Sequence, residues 1–507
     1  MFTKFMFPWI SLSQLLLVIF SIVTWHIITA DKARKAAIVG LGLNVLFLSA
    51  AFGEVILARG QTLTEPWPVE GVRSLFVMDS LNALPMMVLS ALALGMVILV
   101  PRRKLTPRWL AGVLLLTAAT LTAYAANTLI LLVLAWGLAV LPFLVGRFFS
   151  QLNESQLPAL SKLAMIGSVA SLAIGVGMII SCKPELAFQP WIEPSSTLTG
   201  ITPFLRYAFV FLVVAVFLRQ GLVPVHSWVV TAYERGPLLP LTLFLNGHLG
   251  AFLLVRLVNP LLPDIAREAL PILGYLGLFT AAYTAILALA EPKPRRLLAL
   301  LTVSQTSFVL LGLQSSTVDG MVGSFIHWQV VAVATTVLAA VYVGIEARLG
   351  SAIEGKNFLG LATAAPRLAV FFVVAGLALV GLPLTLGFCA EDLLLHATLA
   401  THPQLGIIMP LVTAFNAFSV LRLFARLFLG RPIVEAELLV DALPRERLVL
   451  TCCLLFLILG GLFPSVLLQF PSTSARRLSM PATTVLNRTT GDSNTSGSGF
   501  RVQGSGS

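Results

Sequence analysis

The 507-residue chain is 57% hydrophobic and only 11% charged, with a mean hydropathy of +0.94 and a formal net charge of +11. A water-soluble protein of this length needs far more charge to cover its surface, so a soluble enzyme or domain is excluded. The basic excess does not call for a nucleic-acid partner, because the Lys and Arg residues sit in short loops between apolar runs, where membrane topology accounts for them.

Apolar runs of about 20 residues recur along the chain, each long enough to cross a hydrocarbon core of roughly 30 Å. Short alternating strands are absent from the pattern, which excludes a β-barrel and predicts an all-α polytopic membrane protein. In chain order the predicted spans cover 7–29, 37–57, 78–100, 109–125, 127–147, 159–181 and 204–225, then 239–261, 268–290, 296–314, 321–346, 368–400, 406–429 and 447–470, about fourteen in all. The first run is too long for a signal peptide and lacks a basic n-region with a small-residue cleavage site, so it is read as the first span. From Pro471 the sequence turns polar and ends in "GDSNTSGSGFRVQGSGS", which reads as a flexible tail.

The loops after odd-numbered spans carry "DKARK", "PRRKLTPR", "EPKPRR" and "LPRER", and the loops after even-numbered spans carry few basic residues. The positive-inside rule puts the odd loops in the cytoplasm and both termini on the other side. Cys182, Cys389, Cys452 and Cys453 lie in or at the ends of apolar runs with no CxxC spacing, so neither a disulfide framework nor a metal site is implied. No metal-ligand cluster, nucleophile triad or nucleotide-binding glycine loop marks a lone enzyme, and no pattern calls for a cofactor.

Two spans are interrupted. The seventh reads "FVFLVVAVFLRQGLVPVHSW", with Gly221 and Pro224 past its middle, and the twelfth reads "GLPLTLGFCAEDLLLHA" from Gly381 and Pro383. Proline in a helix interior removes a hydrogen bond and clashes with the preceding turn, so both spans are predicted to break. Broken helices in corresponding places of two halves mark the ion path in inverted-repeat transporters.

Ionisable residues stand beside both breaks. Arg219 precedes Pro224; it cannot release its proton, so it serves either as a fixed charge that tunes its neighbours or as a snorkelling residue. His226 in "PVHSW" is a relay or an interfacial anchor. His248 lies mid-span in "LTLFLNGHLGAFLLVRL", either as a relay, for which an unperturbed pKa of about 6.5 suits reversible protonation, or as a histidine satisfied by a neighbouring carbonyl. His327 in "GSFIHWQVV" falls early in the eleventh span, less than two turns from its end, as relay or packing. Lys162 and the pair Arg295 and Arg296 lie near cytoplasmic span ends, where topology explains them, although Lys162 can also contribute to the local potential. Asp79 in "FVMDSLNALP" can cap a helix. Glu391 carries the strongest signal, since a carboxylate at membrane depth must be paired, hydrated or protonated and so marks an ion pathway. Asp392 and His396, spaced i, i+4, share a helix face and are expected to form the exit side of a path from Glu391, unless all three lie in a loop.

The segments "FVMDSLNAL", "GLVPVHSWVVTAYERGPLLP", "KPRRLLALLTVSQTSFVLLGL", "DGMVGSFIHW" and "GLPLTLGFCAEDLLL", in this order, resemble the antiporter-like proton-conducting subunits of respiratory complex I and of Mrp-type cation/proton antiporters, with spacing closest to the M-type subunit. The resemblance implies fourteen helices, two inverted five-helix repeats and broken helices seven and twelve. It divides the chain into helices 1–3 over 1–108, a first repeat over 109–261, a second over 262–430, a last helix over 431–470 and a tail over 471–507. The family's twelfth-helix proton site falls on Glu391 and the eighth-helix Lys or His on His248. The seventh-helix lysine is Arg219 here, the fifth-helix glutamate falls on Gly137, and of the eleventh-helix histidine and lysine only His327 remains. With that carboxylate–lysine pair lost, the chain is more similar to the membrane subunit of DAB-type inorganic-carbon accumulating complexes. That resemblance implies a bacterial inner membrane and a proton path coupled to a cytoplasmic zinc-dependent, carbonic-anhydrase-like subunit. The alternatives are a proton-pumping complex I M-type subunit, an Mrp-type antiporter, or a non-conducting anchor for a partner.

Overall fold

The computed structural model describes residues 3–65, 74–149, 157–191, 196–198, 202–315, 317–350, 358–433 and 440–479. The Gly/Ser-rich end of the predicted tail lies outside the described residues. The chain runs through α1 (Trp9–His26), α2 (Ala30–Leu57), α3 (Ala83–Leu99), α4 (Pro107–Ala125), α5 (Leu129–Leu144) and α6 (Ala159–Cys182). It continues through α7 (Pro203–Gln220), α8 (Ser227–Arg235), α9 (Leu238–Asn246), α10 (Leu249–Leu253) and α11 (Asn259–Leu261), with a π-helical turn at Leu254–Val258. It closes with α12 (Pro263–Ala290), α13 (Pro294–Gln314), α14 (Val318–Leu349), α15 (Pro366–Leu379), α16 (Leu386–Thr401), α17 (Pro403–Phe428), α18 (Pro444–Leu462) and α19 (Pro464–Ser479).

The protein is a helical bundle that spans a membrane many times. Among the described residues ten helices are long and apolar enough to cross, or eleven counting α18 and α19 as one span bent by 80°. Helices α3, α5 and α15 are apolar but shorter. Several helices start from one local device, a threonine whose hydroxyl accepts a free first-turn N–H. Thr106 takes the Trp109 amide, Thr128 that of Leu131, Thr202 that of Leu205 and Thr317 that of Gly320. Pro107 and Pro203 follow two of these caps, at the position where a missing N–H costs nothing.

Burial sorts the helices into layers. The apolar window of α13 and the stretch Leu238–Leu261 are 100% buried, whereas those of α1, α2 and α17 are only 33% buried. Helix α14 runs through the centre against α13, α15 and α16. Its residues are buried without a break from Gly320 to Ile345, so it has no polar face and no lipid face. Past the predicted tail boundary at Pro471 the chain stays helical, because α19 packs on α14 and Ser474 shares a 2.6 Å hydrogen bond with Ser80.

Ion pairs tie helix ends together at one end of the bundle. Glu346 accepts from Lys104 at 2.6 Å and from Arg295 at 2.7 and 2.8 Å. Arg348 reaches Glu446 at 2.6 Å, and Glu234 binds both Lys293 and Arg296. This is the end where the sequence places the basic loops.

Deeper in the chain, Asp79 accepts the amides of Leu81 and Asn82 ahead of α3 and pairs with Arg256 in the π-helical turn; both side chains are less than 10% exposed. Asp79 does not cap α3, whose N-cap is Asn82; it holds the turn ahead of the helix, and the buried cation beside it was not foreseen. Removing one partner of such a pair strands a buried charge and costs about 3–5 kcal/mol, whereas an apolar pair of similar volume is tolerated. Asp79→Ala is therefore expected to lower the melting temperature of the detergent-purified protein by several degrees, and Asp79→Ala with Arg256→Met to recover most of it. An unchanged single variant would contradict this role.

Candidate functional site

Three helix interruptions create the polar interior. Helix α7 ends at Gly221, whose φ of +71° only glycine adopts without strain. The chain then turns through Leu222–His226 into α8, and a Cβ on residue 221 would collide with Val229. The second predicted break is also present: α15 ends before Gly381, again at φ +71°, and α16 starts at Leu386. The third break was not predicted. Span eight is interrupted at His248, which has φ +40° between α9 and α10 and is followed within two turns by the π-helical segment. The dipeptide Asn246–Gly247 before it is a turn signal that the apolar run masked.

Arg219 is 2% exposed in the last turn of α7. Its guanidinium lies 3.6 Å from the Phe244 ring centroid and 5.0 Å from that of Trp136. None of its three nitrogens has a hydrogen-bond partner among the described residues. Cation–π contact thus holds the charge. Gly137 follows Trp136 on α5, and a Cβ there would meet Val169 at an ordinary 3.5 Å. The backbone at Gly137 therefore has room for a side chain.

His248 is buried, with both ring nitrogens unpartnered among the described residues, and its ring meets Trp328 edge-on at 5.5 Å. Tyr124 of α4 touches both neighbours: it stacks on Trp328 and donates to the Gly247 carbonyl. His327, the neighbour of Trp328, stands nine residues into α14 and is fully buried, deeper than the sequence suggests, because α14 begins at Val318. Its Nε2 lies 3.1 Å from the Gln305 carbonyl oxygen, and its Nδ1 is unpartnered.

From Gln305 the row continues through uncharged residues that the sequence analysis passed over. Ser304 accepts from Asn416 at 2.8 Å; Thr413, one turn from Asn416 on α17, donates to Glu391 at 3.3 Å. The Glu391 carboxylate lies against Gly381 in the break, and its other oxygen is buried and unpartnered. Contacts and short helical steps thus run in one interior row from His248 past Trp328 and His327 to Glu391, with Arg219 against Phe244, four residues before His248. Their linkers, "SQ" in α13 and "TAFN" in α17, were legible only as polar residues in mid-span.

The remaining candidates stand outside that row. Asp392 and His396 do share a face of α16, 3.4 Å apart, but the face is the outer one, with side chains 50% and 71% exposed. His226 lies edge-on to Tyr283 and lines a cleft of about 270 Å³ with Thr231, Glu291 and Arg296 at the charged end of the bundle. Lys162 sits in the first turn of α6, beside Ser161, which donates to the Trp228 carbonyl of α8. No cluster of three metal-ligating side chains exists among the described residues.

Together these features define a polytopic helical membrane protein with an ionisable interior built at helix breaks. A model of the transmembrane region of the NADH:quinone oxidoreductase/Mrp antiporter family matches residues 126–416, and the chain belongs to that family. Among its relatives, NADH-quinone oxidoreductase subunit N of Herminiimonas arsenicoxydans is 27% identical over 328 residues, covering 62% of this chain and 66% of the relative. F(420)H(2) dehydrogenase subunit M of Methanosarcina mazei is 27% identical over 441 residues, covering 81% of this chain and 86% of the relative. The matches to the first curated relatives span about half to two thirds of their length. A chain of respiratory complex I from Thermus thermophilus shares the fold with a TM-score of 0.81 at 22% identity, covering 93% of this chain and 99% of that one. A chain of the Mrp complex from a Dietzia species gives 0.78 at 19% identity, covering 94% and 98%.

Gly381→Ala tests the seating of Glu391. A methyl group there would lie 2.7 Å from the Glu391 carboxylate, on a backbone that L-residues adopt at a cost of about 1–3 kcal/mol. A lowered melting temperature is expected; a variant as stable as the parent would mean that the break is not held as described.

Proposed function

We propose that the chain is a proton-translocating membrane subunit, with protons passing along the interior row between His248 and Glu391 and with Arg219 as a fixed positive charge. The observation that carries this is Glu391: a membrane-depth carboxylate seated against a glycine in a helix break, with one oxygen unpartnered among the described residues. His248, with both ring nitrogens unpartnered among the described residues, and His327, with its Nδ1 unpartnered, are the titratable groups between Arg219 and Glu391. Buried polar atoms of this number are tolerated where water completes their hydrogen bonds, and water also supplies the proton carriers between side chains. His226 and its cleft form an entrance at the charged end, and Lys162 adds to the potential there. We infer that both termini lie on the non-cytoplasmic side of a bacterial inner membrane, a reading that the basic loops support.

Moving one charge through 100 mV is worth about 2.3 kcal/mol, which a partner subunit can use. The partner we favour is a zinc-dependent, carbonic-anhydrase-like protein on the cytoplasmic face, so that proton flux drives CO2 hydration and bicarbonate accumulation. What supports this over a complex I M-type or Mrp-type role is the loss of the fifth-helix carboxylate at Gly137 together with Arg219, which leaves Glu391 as the acid on which the row depends.

The test is proton flux in vesicles holding the purified assembly. Glu391→Gln is expected to reduce it to background, and His248→Ala to slow it about 100-fold or more, the scale of losing a proton-transfer group. Parental flux in Glu391→Gln, with the complex assembled, would exclude this path and leave the membrane-anchor reading. The copurifying subunit decides the finer assignment: a zinc protein selects carbon uptake, and an NADH-oxidising arm selects complex I.

A further inference from the structure

Helix α16 carries an outward stripe that the proton row does not use. Phe388, Asp392 and His396 follow one another at i, i+4 spacing, with Leu399 one turn on and Leu384 before the helix. All five are exposed, at 45% for Phe388, 38% for Leu399 and 69% for Leu384, with the ionisable pair between them. Asp392 is nine residues from Thr401, hence about 14 Å from the end of α16, and about 9 Å from its start at the break. Both distances fall inside a half-bilayer of about 15 Å.

An exposed carboxylate at that depth cannot face hydrocarbon. His396 does not cover it, because its own ring is more exposed than the acid it contacts. Helices α14, α17 and α18 pack on the other faces of α16, so none of them covers the stripe. The apolar residues above and below the acid make the stripe unsuited to bulk water as well. An apolar seam with one acid at its centre fits a membrane-spanning helix that brings a basic side chain to the same level, where the pair is desolvated together.

We propose that the Phe388–Asp392–His396 face of α16 is the docking surface for a transmembrane helix of another subunit, which places a Lys or Arg against Asp392. Asp392 and His396 then serve assembly and are not the exit of the proton path. This surface is independent of whether protons move through the row, so its failure and that of the proposed function are separable.

The test uses the full chain in its native membranes, with the photo-crosslinker benzoylphenylalanine at position 388 or 396 and, as a control, at the lipid-exposed Val214. Peptide mass spectrometry of the adducts is expected to show, at 388 and 396 only, a membrane-spanning segment of a different protein with a Lys or Arg within one turn of the attachment point. Asp392→Ala should cut the adduct at 388 by about tenfold or more, because it removes a desolvated charge pair. Reversing the partner's basic residue to Glu together with Asp392→Lys should restore it. The chain carrying Asp392→Ala should elute and melt like the parent, since the side chain is half exposed within its own subunit. Adducts with lipid alone, with a second copy of this chain, or with a segment lacking a basic residue overturn the proposal. So does an adduct yield that Asp392→Ala leaves unchanged.

Discussion

Inside a bilayer every backbone N–H and C=O must find its partner within the protein, because hydrocarbon offers none. A helix satisfies this by itself, so any interruption has to be sheltered by other helices or by water. The interruptions at Gly221, His248 and Gly381 obey this constraint, and most of the remaining architecture follows from it. Spans eight, ten and eleven are buried on all sides because they enclose the breaks. Helices α1, α2, α6 and α17 form the outer layer that meets lipid. Glycine at 221 and 381 is what lets a helix stop and restart without strain at positive φ. His248 holds the same kind of conformation without that freedom, and for a residue with a Cβ a left-handed backbone costs about 1–2 kcal/mol. The surrounding core has to maintain it, and Tyr124 does so by holding the Gly247 carbonyl.

The two halves of the interior are electrostatically unlike. In the first, a guanidinium is held by two aromatic rings, with no acid paired to it among the described residues. In the second, a carboxylate is held by one threonine and the edge of a broken helix. An arginine over ring faces is a permanent charge, whereas a carboxylic acid with one free oxygen can change state. The row between them consists of imidazoles, amides and hydroxyls, groups that donate and accept without carrying a fixed charge. In the proposed function, work is accordingly concentrated at Glu391, and the first half sets the potential through which a proton would pass.

Much of this was legible in the sequence, and the gaps have physical reasons. Span positions followed from hydropathy, and the breaks at spans seven and twelve from Gly-x-x-Pro and Gly-x-Pro. The break at His248 carries no proline, and Asn246–Gly247 sits within a run otherwise long enough to cross. Ser304, Gln305, Thr413 and Asn416 were overlooked because uncharged polar residues cost little in a membrane helix and give a weak signal. Spacing put Asp392 and His396 on one face of α16 but could not say which face. That depended on α14, α17 and α18 occupying the other sides, which is tertiary information. The second half of α19, from Pro471, was read as tail because its sequence is apolar only on the side that meets α14.

Proton loading at Glu391 is the central claim, and infrared difference spectroscopy of the assembled complex during turnover tests it most directly. A protonated carboxylic C=O stretch that appears and disappears with turnover, and is missing from the spectrum of Glu391→Gln, is the result expected. A carboxyl signal that is unchanged through turnover, or that survives in Glu391→Gln, would contradict it.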